Sequence, residues 1–220
     1  MHPSAKARLA SFLKDYEGKV KFMYLDKKGI VTVGIGHRID PLSQALNLQF
    51  SYKGNPGSIA SAGDISSEWS LVKSRKDLML KGGAAFAAIT RLELSENGIQ
   101  QMVRQHANDV EKYIKTNTSA RRFYANFDNW PADAQLGFMG VAWGGIPIPQ
   151  FGWHLFPEAC KREDWSTAAK ECKIRSPLAA GRNESHKRMF ENAAQVKANG
   201  GDISILHWPA IVLSRVDIVG

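Results

Sequence analysis

One segment near the amino terminus constrains the fold of this chain more than any other: EGKVKFMYLDKKGIVTVGIGH, residues 17–37. The apolar residues before it recur at helical spacing, which predicts a helix over residues 4–16 with Ser4 as its cap. Within it, apolar and polar residues alternate in two runs, at 20–24 and 31–35. Lys27-Lys28-Gly29 lies between the runs as the predicted turn. The segment therefore predicts a helix followed by a β-hairpin that reaches about His37.

Three side chains in this segment suit glycoside hydrolysis: Glu17 at the helix end, Asp26 at a strand edge and Thr32 in the second strand. A glycosidic oxygen leaves poorly unless it is protonated, so one carboxyl must remain an acid near neutral pH. Glu17 is the better acid, since it is flanked by Tyr16 and faces Val20, and apolar surroundings disfavour an ionised carboxyl. Asp26 and Thr32 together would orient a water. Taken singly, each residue also fits an ordinary surface or strand position.

The segment resembles the active-site segment of the T-even bacteriophage lysozymes, with the spacing of glutamate, aspartate and threonine unbroken. The positions that carry the resemblance are Glu17, Gly18, Tyr24, Asp26, Gly29 and the run TVGIGH from Thr32 to His37. The resemblance implies a muramidase that cleaves between N-acetylmuramic acid and N-acetylglucosamine in peptidoglycan and inverts the sugar configuration. It implies Glu17 as general acid, with Asp26 and Thr32 assisting the water. We expect Gly36 to contact substrate and His37 to be structural, paired with a carboxylate behind the hairpin.

The resemblance also implies an α+β, lysozyme-like fold, in which a small hairpin lobe and a larger helical lobe are joined by a long helix. The predicted parts of this single domain, residues 1–220, are a small lobe at about 17–93, a connecting helix at about 95–115, and a helical lobe at about 116–200 together with residues 1–16. Residues at about 41–90 look inserted relative to the family, and residues 201–220 extend beyond it. The insertion either tunes or covers the site or only elaborates the surface.

Composition and periodicity predict the remaining elements. Asp40-Pro41 ends the hairpin pattern, and the stretch to about Gly63 is rich in Gly, Ser, Asn and Pro, which predicts a loop. A helix is predicted at residues 66–80, with Ser66 or Ser67 as its cap and Trp69, Val72 and Leu80 facing inward. A second is predicted at Leu94–Ile114, with Ser95 as its cap and an apolar stripe that includes His106 and Tyr113. Further predicted helices are a fully buried one from Pro131 to Trp143 ended by Gly144-Gly145, two short ones in 157–173, and a last one opened by Gly181-Arg182-Asn183. Alternating Ile203, Ile205 and Val212 predict a short strand or a surface tail.

The resemblance places a second set of residues near the sugar cleft. The end of the buried helix, at Ala142, Trp143 and Gly144, corresponds to the glycine-bearing end of the family's central helix. Trp143 either stacks on a sugar or packs in the core. Arg182 and Asn183 match a basic, asparagine-containing turn before the family's late helix, so we expect them to touch substrate.

The formal net charge is +8, from 29 Lys and Arg against 21 Asp and Glu, so the surface attracts polyanions such as anionic envelope polymers. The cations are spread along the chain, which disfavours nucleic acid as a partner. No apolar run is long enough for a transmembrane helix, and residues 1–18 do not resemble a signal peptide. Cys160 and Cys172 form no CxxC pair and are expected to be free thiols. The histidines lack a zinc hydrolase pattern, so neither metal nor cofactor is expected.

Two alternatives stay open beside hydrolysis. A lytic transglycosylase would need Glu17 but would exclude water, so Asp26 and Thr32 argue against it. A basic envelope-binding module without catalysis would not need the three residues together. The inserted segment and the tail also resemble the lysozyme-like domains of type VI secretion effectors. We therefore expect a monomer that acts on peptidoglycan strands in a target periplasm, delivered by a secretion machine or by phage lysis, and blocked by an immunity protein if it is an effector.

Overall fold

A computed structural model describes residues 1–17, 19–143, 145–175 and 179–210, with Glu17 described by its backbone alone. The architecture is α+β, as the sequence predicts. The chain divides into two compact units, one formed by Met1–Phe12 with Gln105–Gly220 and the other by Leu13–Arg104. We call them the helical unit and the sheet unit. The division falls inside the first helix and inside the fifth, so each of these helices contributes residues to both units.

The described part of the chain forms α-helices, short 3₁₀ turns and β-strands. The helices are α1 (Pro3–Glu17), α2 (Leu42–Leu46), α3 (Ala62–Ser74), α4 (Lys76–Met79), α5 (Glu96–Thr116), α6 (Thr118–Tyr124), α7 (Ala132–Ala142), α8 (Leu155–Arg162), α9 (Trp165–Glu171) and α10 (Ala180–Asn199), with short 3₁₀ turns at Gly83–Phe86, Phe127–Asn129 and Pro149–Phe151. The strands are β1 (Val20–Leu25), β2 (Val31–Gly34), β3 (His37–Arg38), β4 (Phe50–Tyr52), β5 (Asn55–Ile59) and β6 (Leu92–Leu94).

The first sheet of the sheet unit has the order β1-β2-β3, with all neighbours antiparallel. The predicted hairpin is confirmed: β1 and β2 pair with Tyr24 opposite Thr32 and Leu25 opposite Val31. The turn between them contains Gly29 at φ +72°, a left-handed conformation that favours glycine. The sequence did not predict β3, which forms a second tight turn with β2 and pairs Thr32 with Arg38.

The second sheet, of order β5-β4-β6, lies where the sequence predicted a loop, and that prediction was wrong. Phe50 of β4 is fully buried and pairs with Leu94 of β6. The Gly- and Asn-rich composition belongs to the hairpin between β4 and β5, which turns at Gly54 with φ +75°. The partner strand β6 is distant in sequence, so local composition could not reveal this pairing.

The helix predicted for residues 66–80 begins earlier and ends earlier. Ser61, not Ser66 or Ser67, caps α3: its Oγ accepts the Asp64 N–H, and the Asp64 carboxylate accepts the Ser61 N–H in return. Val72 is buried as predicted and Trp69 is half-buried, but Leu80 is 85 % exposed because α3 has already ended at Ser74.

The helices of the connecting and helical regions are mostly as predicted. In α5, Ser95 Oγ accepts the Gly98 N–H as an N-cap, and Val103 and Ile114 are buried, whereas Tyr113 is exposed. In α1, Ser4 is not the cap: it lies within the helix, and its hydroxyl donates to the Ser204 carbonyl at 2.6 Å.

The core of the helical unit forms around α7, every residue of which is buried, as its continuously apolar sequence predicts. Trp130 is a centre of aromatic contacts, with ring centroids 5.2 Å from Phe127, 5.7 Å from Phe138 and 5.0 Å from Trp165. The Tyr124 hydroxyl donates to the Pro147 carbonyl. The predicted pair of short helices is present as α8 and α9, and Cys160 and Cys172 are buried free thiols as expected.

The segment after α10 forms no strand within residues 200–210, so the predicted strand is absent there, and Val212 lies outside the described residues. Instead, the Ile203 carbonyl accepts the Ala132 N–H at 2.7 Å, and the N–H groups of His207 and Trp208 donate to the Asp133 carboxylate at 2.9 Å each. The segment thus packs on the start of α7. No helix among the described residues is both long and apolar enough to cross a membrane.

Candidate active site

The end of α1 supplies the first candidate residue. Glu17 is the last residue of α1, and β1 begins at Val20, so the helix leads almost directly into the hairpin. Its side chain and Gly18 lie outside the described residues. The start of the hairpin is tied to α5 by two lysines: the amino groups of Lys19 and Lys21 lie 2.5 and 3.1 Å from Glu96. These two hydrogen bonds lower the pKa of the Glu96 carboxyl.

Asp26 follows β1 and shapes the hairpin turn. Its Oδ1 accepts the N–H groups of Lys28 at 2.8 Å and Ile30 at 3.0 Å, and its own N–H donates to the Ile30 carbonyl. The second oxygen, Oδ2, lies 3.8 Å from Arg38 Nε, and the side chain is 22 % exposed. One oxygen therefore fixes the carboxylate in the turn while the other faces a guanidinium beyond hydrogen-bonding distance.

Thr32 lies in the middle of the first sheet and is only 2 % exposed. Its hydroxyl donates to the Ile30 carbonyl at 3.0 Å. Because a hydroxyl has one hydrogen and two lone pairs, Thr32 can act towards a further group only as an acceptor. A buried strand threonine would show the same bond, so this geometry fits both a structural and a catalytic Thr32.

The strand register places Tyr24, Thr32 and Arg38 on the same side of the first sheet. Tyr24 is directly opposite Thr32, and Arg38 is opposite Thr32 on the other edge. Side chains of directly paired residues point to one face of a sheet. Asp26 directly follows β1, and its Oδ2 lies 3.8 Å from Arg38 Nε. Arg38 therefore lies between two of the three predicted catalytic residues, paired with Thr32 in the sheet and close to the carboxylate of Asp26.

The segment predicted as an insertion, residues 41–90, holds this hairpin in place. Lys73 of α3 donates to the Gly29 carbonyl at 2.9 Å and also pairs with the Asp40 carboxylate. Asp40 in turn accepts the Val31 N–H at 3.4 Å. A further contact comes from Met79 of α4, whose sulfur lies 3.7 Å from where a Cβ on Gly29 would be. The insertion thus packs on the turn next to Asp26.

The glycine-rich end of the hairpin has a packing role. Gly34 has φ +68°, and a Cβ there would lie 2.5 Å from Cε of Met102 in α5, so a side chain would force the helix residue to move. Gly36, the predicted substrate contact, is exposed in the turn between β2 and β3 with φ +73°. His37 opens β3 opposite Val33 and is half-buried. Its expected carboxylate partner stays a prediction.

The predicted sugar-contacting residues of the second set belong to the helical unit. Ala142 and Trp143 are buried, and the Trp143 ring meets the His106 ring edge-on at 4.5 Å, while burial lowers the pKa of His106. Trp143 is 9 % exposed, which favours core packing over sugar stacking. Gly144 lies outside the described residues.

Arg182 and Asn183 lie in the first turn of α10 and bond to backbone within the helical unit. Arg182 donates to the Gly140 carbonyl of α7 at 2.7 Å. The Asn183 amide accepts the Ile174 N–H at 2.8 Å and donates to the Ile174 carbonyl at 3.0 Å. Arg182 is thus placed near the carboxyl end of α7, whereas the Asn183 side chain fixes the segment between α9 and α10.

Sequence reasoning missed two residues of the hairpin surroundings, Arg38 and Lys73. Arg38 directly follows the recognised motif, but its pairing with Thr32 depends on β3, which is too short for an alternation signal. Lys73 carried no local signal at all, because it lies in α3 and reaches Gly29 through tertiary packing. Among the described residues, no cluster of three or more His, Cys, Asp or Glu side chains could hold a metal ion.

No known family model matches this chain, and a search of curated proteins finds no significant relative.

Proposed function

We propose that this protein is a peptidoglycan muramidase, which hydrolyses the glycosidic bond between N-acetylmuramic acid and N-acetylglucosamine. The observation that supports the proposal is the hairpin, which follows a helix that ends at Glu17 and in which Arg38 pairs with Thr32 and lies 3.8 Å from Asp26. This is the order of elements and residue types that the resemblance to T-even phage lysozymes implies. The same resemblance supports a lysozyme-like arrangement and delivery as a secreted antibacterial effector or endolysin.

The first chemical step assigned to this site is proton donation. Glu17, as general acid, gives its proton to the glycosidic oxygen as the bond to the anomeric carbon breaks. The leaving sugar then departs as a neutral hydroxyl. A carboxyl in this role must be protonated before the step, which is why a position at a helix end beside Tyr16 suits it better than an open surface.

The second step is the attack of water, which Asp26 and Thr32 orient. The Thr32 hydrogen is committed to the Ile30 carbonyl, so Thr32 accepts one hydrogen of the water. Asp26 Oδ2 accepts the other, since Oδ1 is occupied by two N–H groups of the turn. With both hydrogens held, a lone pair of the water points away from the hairpin towards the anomeric carbon. As the new C–O bond forms, the hydrogen held by Asp26 passes to Oδ2 as a proton. Release of this proton to solvent and uptake of one by Glu17 return both carboxyl groups to their starting states. Attack from the face opposite the leaving group inverts the configuration.

The product analysis of purified peptidoglycan tests this proposal. Wild-type protein should release fragments with reducing-end muramic acid, and Glu17→Gln should release none. Asp15→Asn is the matched control, because Asp15 is an exposed carboxylate in the same helix and should keep full activity. Anhydro-muramic ends would identify a lytic transglycosylase instead. No products from wild type would leave a non-catalytic envelope-binding module.

A further inference from the structure

The helical unit contains a cavity of about 690 Å³ beside the 3₁₀ turn Pro149–Phe151, the start of α8 and the end of α9. Its volume lies within the range of about 300–1,000 Å³ that small-molecule sites occupy. None of the residues assigned above to proton donation or water attack lines it. Its walls have two different chemical characters, one apolar and one cationic.

The apolar wall exposes large side chains to solvent. Phe151 is 69 % exposed and Leu155 is 60 % exposed. Between them lies Trp153, half-buried, with its ring 5.6 Å from the ring of Phe156 beneath it. Neighbouring exposed apolar side chains in a concave surface are typical of a binding site, because folding gains nothing from leaving them in water.

The other group of residues that line the cavity is cationic. Lys170, Lys173 and Arg175 line the cavity with a single carboxylate, Glu171. In the described part of the chain, none of these three cations forms an ion pair with a carboxylate. Their charge is therefore available to a ligand, and the excess of cations selects an anionic one. Arg175 is suited to a carboxylate in particular, since its guanidinium can donate two parallel hydrogen bonds.

The backbone that carries these side chains is held in place. Asn183 binds both the N–H and the carbonyl of Ile174, the residue between Lys173 and Arg175. On the apolar side, Gly152 has φ +84°, and its N–H donates to the Pro149 carbonyl at 3.0 Å. A site whose backbone is already fixed loses less conformational entropy on binding.

We infer that this cavity binds a carboxylate-bearing saccharide of the peptidoglycan strand, in addition to the sugars that react at the hairpin. The inference rests on the proposed function for the identity of the strand. The apolar face of a pyranose ring packs on Phe151 and Trp153, which offer flat aromatic surfaces. Carboxylates of the acidic stem on muramic acid reach Lys173 and Arg175. The cavity thereby retains the enzyme on the strand and favours segments that keep their acidic stems.

Cosedimentation with purified peptidoglycan sacculi tests the site, with all variants carried in the Glu17→Gln background to prevent hydrolysis. The cavity variant is Lys173→Gln with Arg175→Gln. The matched control is Lys112→Gln with Lys161→Gln, which removes two exposed positive charges elsewhere in the helical unit. The cavity variant should raise the Kd by about tenfold or more, which corresponds to a loss of ~1.4 kcal/mol or more of binding free energy. The control should raise the Kd by less than about twofold. Phe151→Ala should also raise the Kd, whereas Phe151→Trp, which keeps an aromatic ring, should leave the Kd near that of the unsubstituted cavity.

Two results would overturn the inference. The first is equal binding by the cavity variant and its charge-matched control, which would reduce the effect to net charge. The second is tight binding of poly-glutamate at the cavity without competition by sacculi, which would identify an acidic peptide as the occupant. Neutral N-acetylglucosamine oligomers should compete more weakly than stem-bearing fragments. Because these readouts need no turnover, a wild type that yields muramidase products but shows no cavity effect refutes this inference alone.

Discussion

The two units each contain an aspartate that accepts two backbone N–H hydrogen bonds. The two aspartates differ in how many of their carboxylate oxygens are occupied by such bonds. Asp133 in the helical unit is fully buried and binds Asn192 at 3.0 Å besides the N–H groups of His207 and Trp208. Asp26 in the sheet unit is 22 % exposed, uses one oxygen for the turn, and has the other 3.8 Å from Arg38 Nε, beyond hydrogen-bonding distance. A carboxylate with both oxygens occupied stabilises the fold, whereas one with an accessible oxygen can also act on a ligand.

Removal of each carboxylate should have a different consequence for the protein. Asp26→Asn keeps the Oδ1 acceptor of the turn, so we expect kcat to fall by about 10²–10⁴-fold, the range for loss of such proton management. The free energy of unfolding should change by less than about 1 kcal/mol. Asp133→Ala removes the acceptor of one buried and two part-buried hydrogen bonds and should lower the free energy of unfolding by about 3 kcal/mol.

Turnover on peptidoglycan and urea unfolding measure the two effects separately. The folded fraction of Asp133→Ala should retain wild-type kcat. Full activity of Asp26→Asn would mean that the carboxylate serves only the turn, and the two aspartates would then have the same role.

The pH dependence of stability extends the comparison to a second buried group of the helical unit. Burial, together with the charge of Arg182, lowers the pKa of His186 to about 3 from its ordinary 6.5. Below pH 6.5 the unfolded chain therefore binds a proton that the folded chain does not bind until about pH 3. Stability contributed by neutral His186 is present above pH 6.5 and is lost as the pH falls, by up to about 1.4 kcal/mol per pH unit.

His186→Leu should remove this part of the slope, measured by urea unfolding from pH 7 to pH 4. Its kcat at pH 7 should equal that of wild type, since His186 is a fully buried residue of α10 that packs against Phe12. An unchanged slope in the variant would mean that His186 has the same pKa in the folded and unfolded states and would contradict its lowered pKa.

In the sheet unit, a substitution at Lys73 should change activity, whereas the substitution at His186 should change only the pH dependence of stability. Lys73 lies in the inserted segment and contacts the hairpin. Lys73→Met removes the hydrogen bond to the Gly29 carbonyl and the pairing with Asp40. We expect kcat to fall by about tenfold with KM unchanged, because the turn that carries Asp26 shifts while substrate contacts stay. Lys73→Arg should restore part of kcat. Lys76→Met, at an exposed lysine of α4, is the control, and an equal loss there would point to charge rather than positioning.

The smallest expected effect is a loss of stability without a loss of activity, from a substitution in the inserted segment. Ser61→Ala removes the cap of α3 and should cost about 1 kcal/mol of unfolding free energy, with kcat nearly unchanged. Ser67→Ala, at an exposed serine inside the helix, should change stability by less than about 0.5 kcal/mol. Thermal or urea unfolding checks both, and equal effects would contradict the assignment of Ser61 as the cap.

Local patterns predicted the elements whose side chains are sorted by their own sequence. The hairpin at Val20–Leu25 and Val31–Gly34, the buried helix Ala132–Ala142 and the cap at Ser95 all follow from alternation, continuous apolarity or capping chemistry. The second sheet could not be predicted, because its central strand pairs with Leu92–Leu94 from far along the chain. Composition there favoured a loop, and tertiary pairing overrode it.

For the candidate site, the amino-acid sequence establishes which groups are present and their order: an acid at Glu17, a carboxylate at Asp26 and a hydroxyl at Thr32. Their surroundings follow from tertiary contacts. The pairing of Thr32 with Arg38 depends on strand register, and the 3.8 Å approach of Arg38 to Asp26 follows from it. The hydrogen bond from Lys73 to Gly29 depends on packing of α3. The chemical groups of a site are those of its side chains, and the amino-acid sequence gives these directly. Position depends on long-range hydrogen bonds and burial, which only the folded chain contains.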